Sequence, residues 1–140
     1  MIGGQTGASD LGYSVPIDGF TTHTTATAPG SLVFVSGLTS RSADGSVQAV
    51  GDVAGQTRQI MSTLRGVITD AGGTLADVRQ IRTYVIDIDA AWPEIEPVWR
   101  EFWPDRLPAS TLVQVGRLFD ARQLIETDAI AFVTSTMENI

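Results

Sequence analysis

The predicted order of secondary structure in this 140-residue chain indicates an α+β fold, in which two helices cover one face of a mixed sheet. Two observations support this class. Two segments carry apolar residues at helical spacing, and runs rich in β-forming residues precede, separate and follow them. The length fits one domain over residues 1–140, with residues 1–12 as a partly flexible lead-in.

The first half of the chain contains strand, turn and helix signals in that order. Phe20–Ala28 is rich in threonine and favours a strand, and Leu32–Ser36 is an apolar β run. Asp52 is of the residue type preferred at helix N-caps, and Gly72 is of the type that ends helices. The apolar positions of the helix between them are Val53, Ile60, Leu64, Val67, Ile68 and Ala71.

The second half repeats the alternation of strand and helix. Val78–Ile88 is rich in β-formers, which predicts a strand over its whole length. Because a proline inside a helix removes a backbone hydrogen bond, we expect Pro97 in the first turn of the next helix. The closing strands are predicted at Thr111–Leu118 and Gln123–Thr134. One apolar face of the second helix is formed by Trp92, Ile95, Trp99 and Phe102.

Composition excludes several classes of function. The formal net charge of −7 argues against a nucleic-acid groove, which needs clustered basic residues, and against binding to anionic membrane surfaces. Without cysteine or lysine, the chain has no thiolate metal site, no thiol nucleophile and no lysine amine for a Schiff base. His23 is the only histidine, which excludes a multi-histidine metal site, and we expect neither metal nor cofactor. No secretory signal is recognisable, and we expect a cytoplasmic protein.

Three segments together carry a family resemblance. Pro108–Phe132, Leu32–Gly37 and Gly72–Asp89 resemble the Rid family of reactive-intermediate deaminases, also called YjgF. Members of that family hydrolyse enamines and imines to ketones and ammonia. The resemblance implies a chorismate-mutase-like fold in a homotrimer, whose three sheets close a central barrel. It also implies small-molecule pockets in the clefts between subunits.

The resemblance assigns catalytic roles to two residues. Glu126 matches the glutamate that orients the attacking water in the family, and a carboxylate there can act as a general base. His23 falls at the position of the family's pocket tyrosine, where it would be the partner acid. The residues themselves leave other roles open, because Glu126 can be a structural carboxylate and His23 a solvated strand residue.

The resemblance also places four residues at the substrate. Ser36 matches a pocket serine, and Glu96 occupies the position of a pocket asparagine. Ser110 replaces the arginine that grips a substrate carboxylate, a contact that contributes about 1.5–3 kcal/mol in a partly closed pocket. Arg117 is a substitute anion binder or an interface ion-pair residue. Without the arginine and with Glu96 added, we expect a neutral or cationic imine or enamine instead of an ordinary 2-iminoacid.

Two functions from different classes therefore remain open. The first is a hydrolase or tautomerase for an imine, an enamine or a related reactive intermediate. The second is a non-catalytic trimer that binds a small molecule or a protein. A third idea, an endoribonuclease, is disfavoured because the chain is acidic and has no lysine.

Overall fold

The structure, a computed structural model, describes the backbone of residues 2–5, 23–26 and 28–134 and the side chains of residues 28–134. The described residues form nine elements: β1 Ile2–Gln5, β2 His23–Ala26, β3 Gly30–Leu38, α1 Val53–Asp70, a 3₁₀ helix Leu75–Asp77, β4 Val78–Val85, α2 Ile88–Phe102, β5 Ala109–Gln114 and β6 Ile125–Thr134.

A four-stranded mixed sheet is the centre of the fold, and its strand order is β3-β6-β4-β5. β6 runs antiparallel to both β3 and β4, whereas β4 and β5 are parallel. Both helices pack on one face of this sheet, where Ile60, Leu64, Ile81, Ile95 and Trp99 share one core. The predicted α+β class, with two helices on a mixed sheet, is confirmed. β1 and β2 form a separate antiparallel pair.

Helix α1 begins and ends where the local signals predict. The Asp52 carboxylate accepts a hydrogen bond from the Gly55 backbone N–H at 2.9 Å, which satisfies one of the free donors of the first turn. At the other end, Gly72 has φ +90°, the left-handed conformation that glycine adopts at low cost. Between these ends, Ile60, Met61 and other apolar residues of one helical face are buried.

The start of helix α2 contradicts the prediction. β4 ends at Val85, and the Asp87 carboxylate accepts the Ala90 backbone N–H at 3.2 Å, so the predicted strand through Ile88 is three residues too long. Because the helix begins earlier than expected, Pro97 lies well inside it, and the prediction that it occupies the first turn is wrong. Pro97 and Pro93 both lie on the exposed side, where water can hydrate the carbonyls that lose their helical partners.

The other strand boundaries differ by a few residues. β5 begins and ends earlier than predicted, and β6 begins at Ile125 instead of Gln123. Gln123 is buried and hydrogen-bonds with Asp120 and Thr39, each at 3.1 Å, so it belongs to the connection between the two strands. β2 covers residues 23–26 of the first predicted strand, and residues 6–12 of the expected lead-in lie outside the described residues.

We predict that Gly72→Val lowers the free energy of unfolding by more than about 1 kcal/mol, because a β-branched residue tolerates a positive φ poorly. Urea denaturation measures the effect. The matched control is Gly66→Ala inside α1, where an added Cβ meets nothing within 4 Å and should stabilise the chain by about 0.5–1 kcal/mol. An unchanged midpoint in Gly72→Val would contradict the role of Gly72 as the helix stop.

Candidate functional site

The polar side chains of the sheet lie on the side away from the helices. Along β6, Ile125, Thr127 and Ala129 are buried toward the helices, so Glu126 and Asp128 between them project from the opposite side. We call this opposite side the outer face. Its polar residues include Ser36 of β3, Arg82 and Tyr84 of β4, and Glu126 and Asp128 of β6.

Glu126 lies against the backbone of β3 at a bulge. The register between β3 and β6 shifts between Val35 and Leu38, which gives β3 one extra residue. A Cβ added to Gly37 in this bulge would lie 2.6 Å from Glu126 Oε2. Glycine at position 37 therefore makes the space that the carboxylate occupies. Within the described residues, the Glu126 carboxylate forms no hydrogen bond or ion pair.

Asp128, in contrast, is held by two side chains of the neighbouring strand. Arg82 Nε donates to Asp128 Oδ1 at 2.9 Å, and the Tyr84 hydroxyl donates to Oδ2 at 3.3 Å. The hydrogen bond to Asp128 and the negative charge of Asp128 raise the pKa of Arg82 above its usual value. The Asp128 side chain is 16% exposed and that of Arg82 is 54% exposed. Among the described residues, Glu126 is thus the outer-face carboxylate without a hydrogen-bond or ion-pair partner.

Arg82 and Tyr84 were not among the residues predicted from the sequence. Their signal is the alternation along β4, in which Ile81, Thr83 and Val85 are buried. That pattern places Arg82 and Tyr84 on one face, but only the pairing with β6 shows that this face also carries Glu126.

Ser36 reaches the same end of the outer face as Glu126. It follows the buried Val35 and is exposed at the bulge, directly before Gly37. The structure therefore brings Ser36 and Glu126 to neighbouring strands. The backbone of His23 lies in β2, but its side chain is outside the described side chains, so its role as the partner acid stays a prediction.

Ser110 lies on the helix side of the sheet and not on the outer face. It is the register partner of Ile81, which is fully buried in the core, and Leu112 two residues later packs against the same core. Within one chain, Ser110 and Glu126 therefore project from opposite faces. A pocket that contains both would need residues from two copies of the chain.

Glu96 and Arg117 both interact with residues close to them in the sequence. Glu96 is on α2 and forms an ion pair with Arg100 at 2.6 Å, which offsets its charge. Arg117 is exposed after β5, and its guanidinium donates to the backbone carbonyls of Leu118 and Phe119 at 3.1 and 3.4 Å. In the part of the chain that the structure describes, the hydrogen bonds and ion pairs of these two residues do not involve an outer-face side chain.

The described part of the chain also contains a cavity that does not include Glu126. A mainly apolar cavity of about 300 Å³ lies between the 3₁₀ helix and the end of α2, lined in part by Leu75, Phe102, Trp103 and Leu107. Among the described residues, no group of three or more acidic or histidine side chains is arranged to hold a metal ion. None of the described helices is long and apolar enough to cross a membrane.

This chain is similar to known proteins both in sequence and in structure. The sequence model of the family described as "Endoribonuclease L-PSP" matches residues 16–133. The 3-aminoacrylate deaminase RutC of Acinetobacter baylyi is 37% identical over 108 residues, which cover 77% of this chain and 84% of that protein. Two solved structures are also similar. The Yersinia pestis Rid-family protein YyfB, of unknown function, has a TM-score of 0.73 at 26% identity, over 82% of this chain and 87% of that one.

The second structure, Rv2704 of Mycobacterium tuberculosis, is described as a member of the YjgF/YER057c/UK114 family. It has a TM-score of 0.63 at 29% identity, over 94% of this chain and 100% of that one. The similarity therefore includes the sheet, both helices and the strand that carries Glu126.

We predict that Gly37→Ala displaces the Glu126 carboxylate while the fold is kept. The obstructing atom is the end of a flexible side chain, so the free energy of unfolding should fall by less than about 1 kcal/mol. The control is Gly30→Ala in the same strand, where the new Cβ would lie 2.4 Å from the backbone oxygen of Val133. That variant should be the less stable of the two in thermal melts, and the reverse order would contradict the contact at Gly37.

Proposed function

Because the chain belongs to the YjgF/Rid family, we propose that it is an enamine or imine deaminase, which uses water to convert a C=N group into a carbonyl and ammonia. A relative that is 37% identical is named as a deaminase, and this supports the reaction class. The observation that carries the proposal is the Glu126 carboxylate, which lies beside Gly37 and has no partner within the described residues.

The proposed reaction needs only water and proton transfer. Glu126 takes a proton from water as the water oxygen adds to the imine carbon, and the electron pair of the C=N bond moves to nitrogen, which takes up a proton. The amino nitrogen of the resulting carbinolamine takes up a proton and leaves as ammonia when the C–N bond breaks, while the hydroxyl gives its proton to a base and its oxygen becomes the carbonyl oxygen. Ser36 is suited to donate a hydrogen bond to that oxygen, and His23 is the proposed acid. Tautomerisation of an enamine to an imine uses the same proton transfer.

The proposed substrate has no carboxylate that must be anchored. The position of the family's carboxylate-binding arginine is Ser110 in this chain, and Ser110 carries no charge. Glu126 adds negative charge to the outer face, where it would repel a carboxylate. A neutral or cationic imine or enamine fits these residues better than an ordinary 2-iminoacid does.

The proposed assembly is a homotrimer in which the sheets close a barrel and the sites lie in clefts between copies. Two features support more than one copy. Ser110 and Glu126 project from opposite faces of one sheet, and Leu32 and Phe34 of β3 are 59% and 71% exposed. Large exposed apolar side chains on a sheet are typical of surfaces that another protein covers.

A second candidate function is a non-catalytic trimer that binds a small molecule or a protein. The observation that favours it is the serine at position 110, because losing the anchoring arginine removes binding energy from the family's substrates. RNA is a poor ligand for either function, since the net charge of −7 and the absence of lysine disfavour contacts with phosphates.

We predict that Glu126→Gln slows ammonia release from a carboxylate-free imine by at least about a hundredfold while the thermal melt is unchanged. Oxidases would generate imines in situ from amines and from amino acids, and a coupled assay would detect ammonia. Gly37→Ala, which keeps the carboxyl group but displaces it, should slow the same reaction.

The matched control is Glu101→Gln, which breaks an ion pair with Arg58 of 2.9 Å on the helical side. This control should leave the rate at the wild-type value. If wild-type protein accelerates the hydrolysis of no imine, the enzyme proposal is wrong and the binding module is favoured. A wild-type rate in Glu126→Gln would remove Glu126 from the mechanism.

A further inference from the structure

Tyr84 and Glu126 form one cross-strand pair on the outer face. They are register partners in β4 and β6, and the next pair on the same face is Arg82 and Asp128. The Cβ atoms of directly opposed residues lie about 4.5–5.5 Å apart, so Tyr84 and Glu126 leave the sheet side by side. The Tyr84 hydroxyl is directed at Asp128, whereas the Glu126 carboxylate lies toward Gly37 of β3. Tyr84 lies one residue before the end of β4, and Glu126 lies one residue after the start of β6. A ligand can therefore approach this pair from beyond the ends of these strands.

The hydrogen bonds around Asp128 determine what Tyr84 can offer to a ligand. Arg82 has only donors, and its Nε occupies one oxygen of Asp128 at 2.9 Å. The other oxygen accepts the Tyr84 hydroxyl proton at 3.3 Å. With its proton directed at Asp128, the Tyr84 oxygen keeps its lone pairs for a ligand. Tyr84 and Glu126 therefore present two acceptor groups on the outer face, on neighbouring strands.

The charges on this face favour a cation over an anion. Glu126 and Asp128 are opposed by the single guanidinium of Arg82, which Asp128 already contacts at 2.9 Å. An approaching carboxylate would meet two like charges and one compensated cation. A planar cation with N–H groups would meet one free carboxylate and one tyrosine oxygen.

We propose that Tyr84 determines specificity by accepting a hydrogen bond from the N–H of a small protonated imine, and that Asp128 and Arg82 position its hydroxyl. The ligand class is an iminium cation with at least one N–H and no carboxylate. The inference rests on the proposed function, since it names the substrate class of the site that contains Glu126. It adds two residues of β4 and one of β6 to that site.

The test measures binding without turnover. Acetamidinium has the planar N–H donors and positive charge of an iminium, and calorimetry with the intact protein gives its Kd. Wild-type protein should bind it, and Tyr84→Phe, which removes one oxygen atom, should raise the Kd about tenfold. Asp128→Asn should raise it several-fold, because an amide can donate as well as accept and no longer fixes the tyrosine proton. Glu101→Gln should bind like wild type.

Acetate is the matched anionic probe. The inference is overturned if wild-type protein binds acetate more tightly than acetamidinium, if it does not bind acetamidinium, or if Tyr84→Phe binds it with the wild-type Kd. The first result would identify Arg82 as an anion anchor instead. In turnover, Tyr84→Phe should raise KM for a primary iminium substrate while kcat stays within about twofold of wild type.

The two proposals can fail separately. Acetamidinium binding that depends on Tyr84, without hydrolysis of any imine, would keep the cation site and disprove the deaminase. Hydrolysis that depends on Glu126, with a Kd and KM unaffected by Tyr84→Phe, would keep the deaminase and disprove the role of Tyr84. Comparable melting temperatures for all variants would show that the differences arise at the site and not from unfolding.

Discussion

The pairing of β6 with strands on both of its sides is the constraint on which the rest of the structure depends. β6 is inside the sheet, so its side chains alternate strictly between the helical core and the outer face. A shift of one residue would bury Glu126 and Asp128 in the apolar core and expose Ile125 and Ala129. Because burying unpaired carboxylates is costly, the core that fixes the register also fixes the direction of Glu126. Folding and placement of the candidate catalytic group are one event.

The neighbouring strands then divide the outer face into parts with different chemistry. β4 supplies Arg82 and Tyr84, which neutralise and orient Asp128. β3 supplies a bulge at Gly37, whose missing side chain leaves room for the Glu126 carboxylate. Two carboxylates that are two residues apart on one strand thus have different environments. Asp128 is bonded by Arg82 and Tyr84, whereas Glu126 has no hydrogen-bond or ion-pair partner among the described residues. Strand pairing of this kind could give one carboxylate a positioning role and leave the other to react.

Local signals in the sequence were sufficient to predict the ends of an element when residues at those ends fix them. Asp52 and Gly72 bound α1 as predicted, because a carboxylate cap and a left-handed glycine act within a few residues. α2 was harder, since Asp87 interrupts a run of β-formers that looks like one strand, although it caps a helix. Exposure of Pro93 and Pro97 depends on how the helix packs, and no local pattern reveals it.

The site was predictable only in part, for the same physical reason. The family resemblance pointed to Glu126 and Ser36 as candidates, but the partners of Asp128 and the proximity of Gly37 follow from strand pairing between residues distant in the chain. Pairing also places Ser110 on the face opposite Glu126, which the order of residues does not disclose. Facing direction along one strand can be read from alternation, whereas relations between strands need the register.

Under the proposed function, a serine in place of the family's anchoring arginine at position 110 would not by itself remove the reaction. A group that grips a distant carboxylate contacts it equally in the ground state and the transition state, so it lowers KM more than it raises kcat. A base that takes a proton as water attacks acts mainly in the transition state. Under the proposed function, Ser110 and Glu126 would act on different steps, and they lie on different faces of the sheet. A serine at position 110 would then change which substrate is bound, whereas Glu126 would retain the proton transfer.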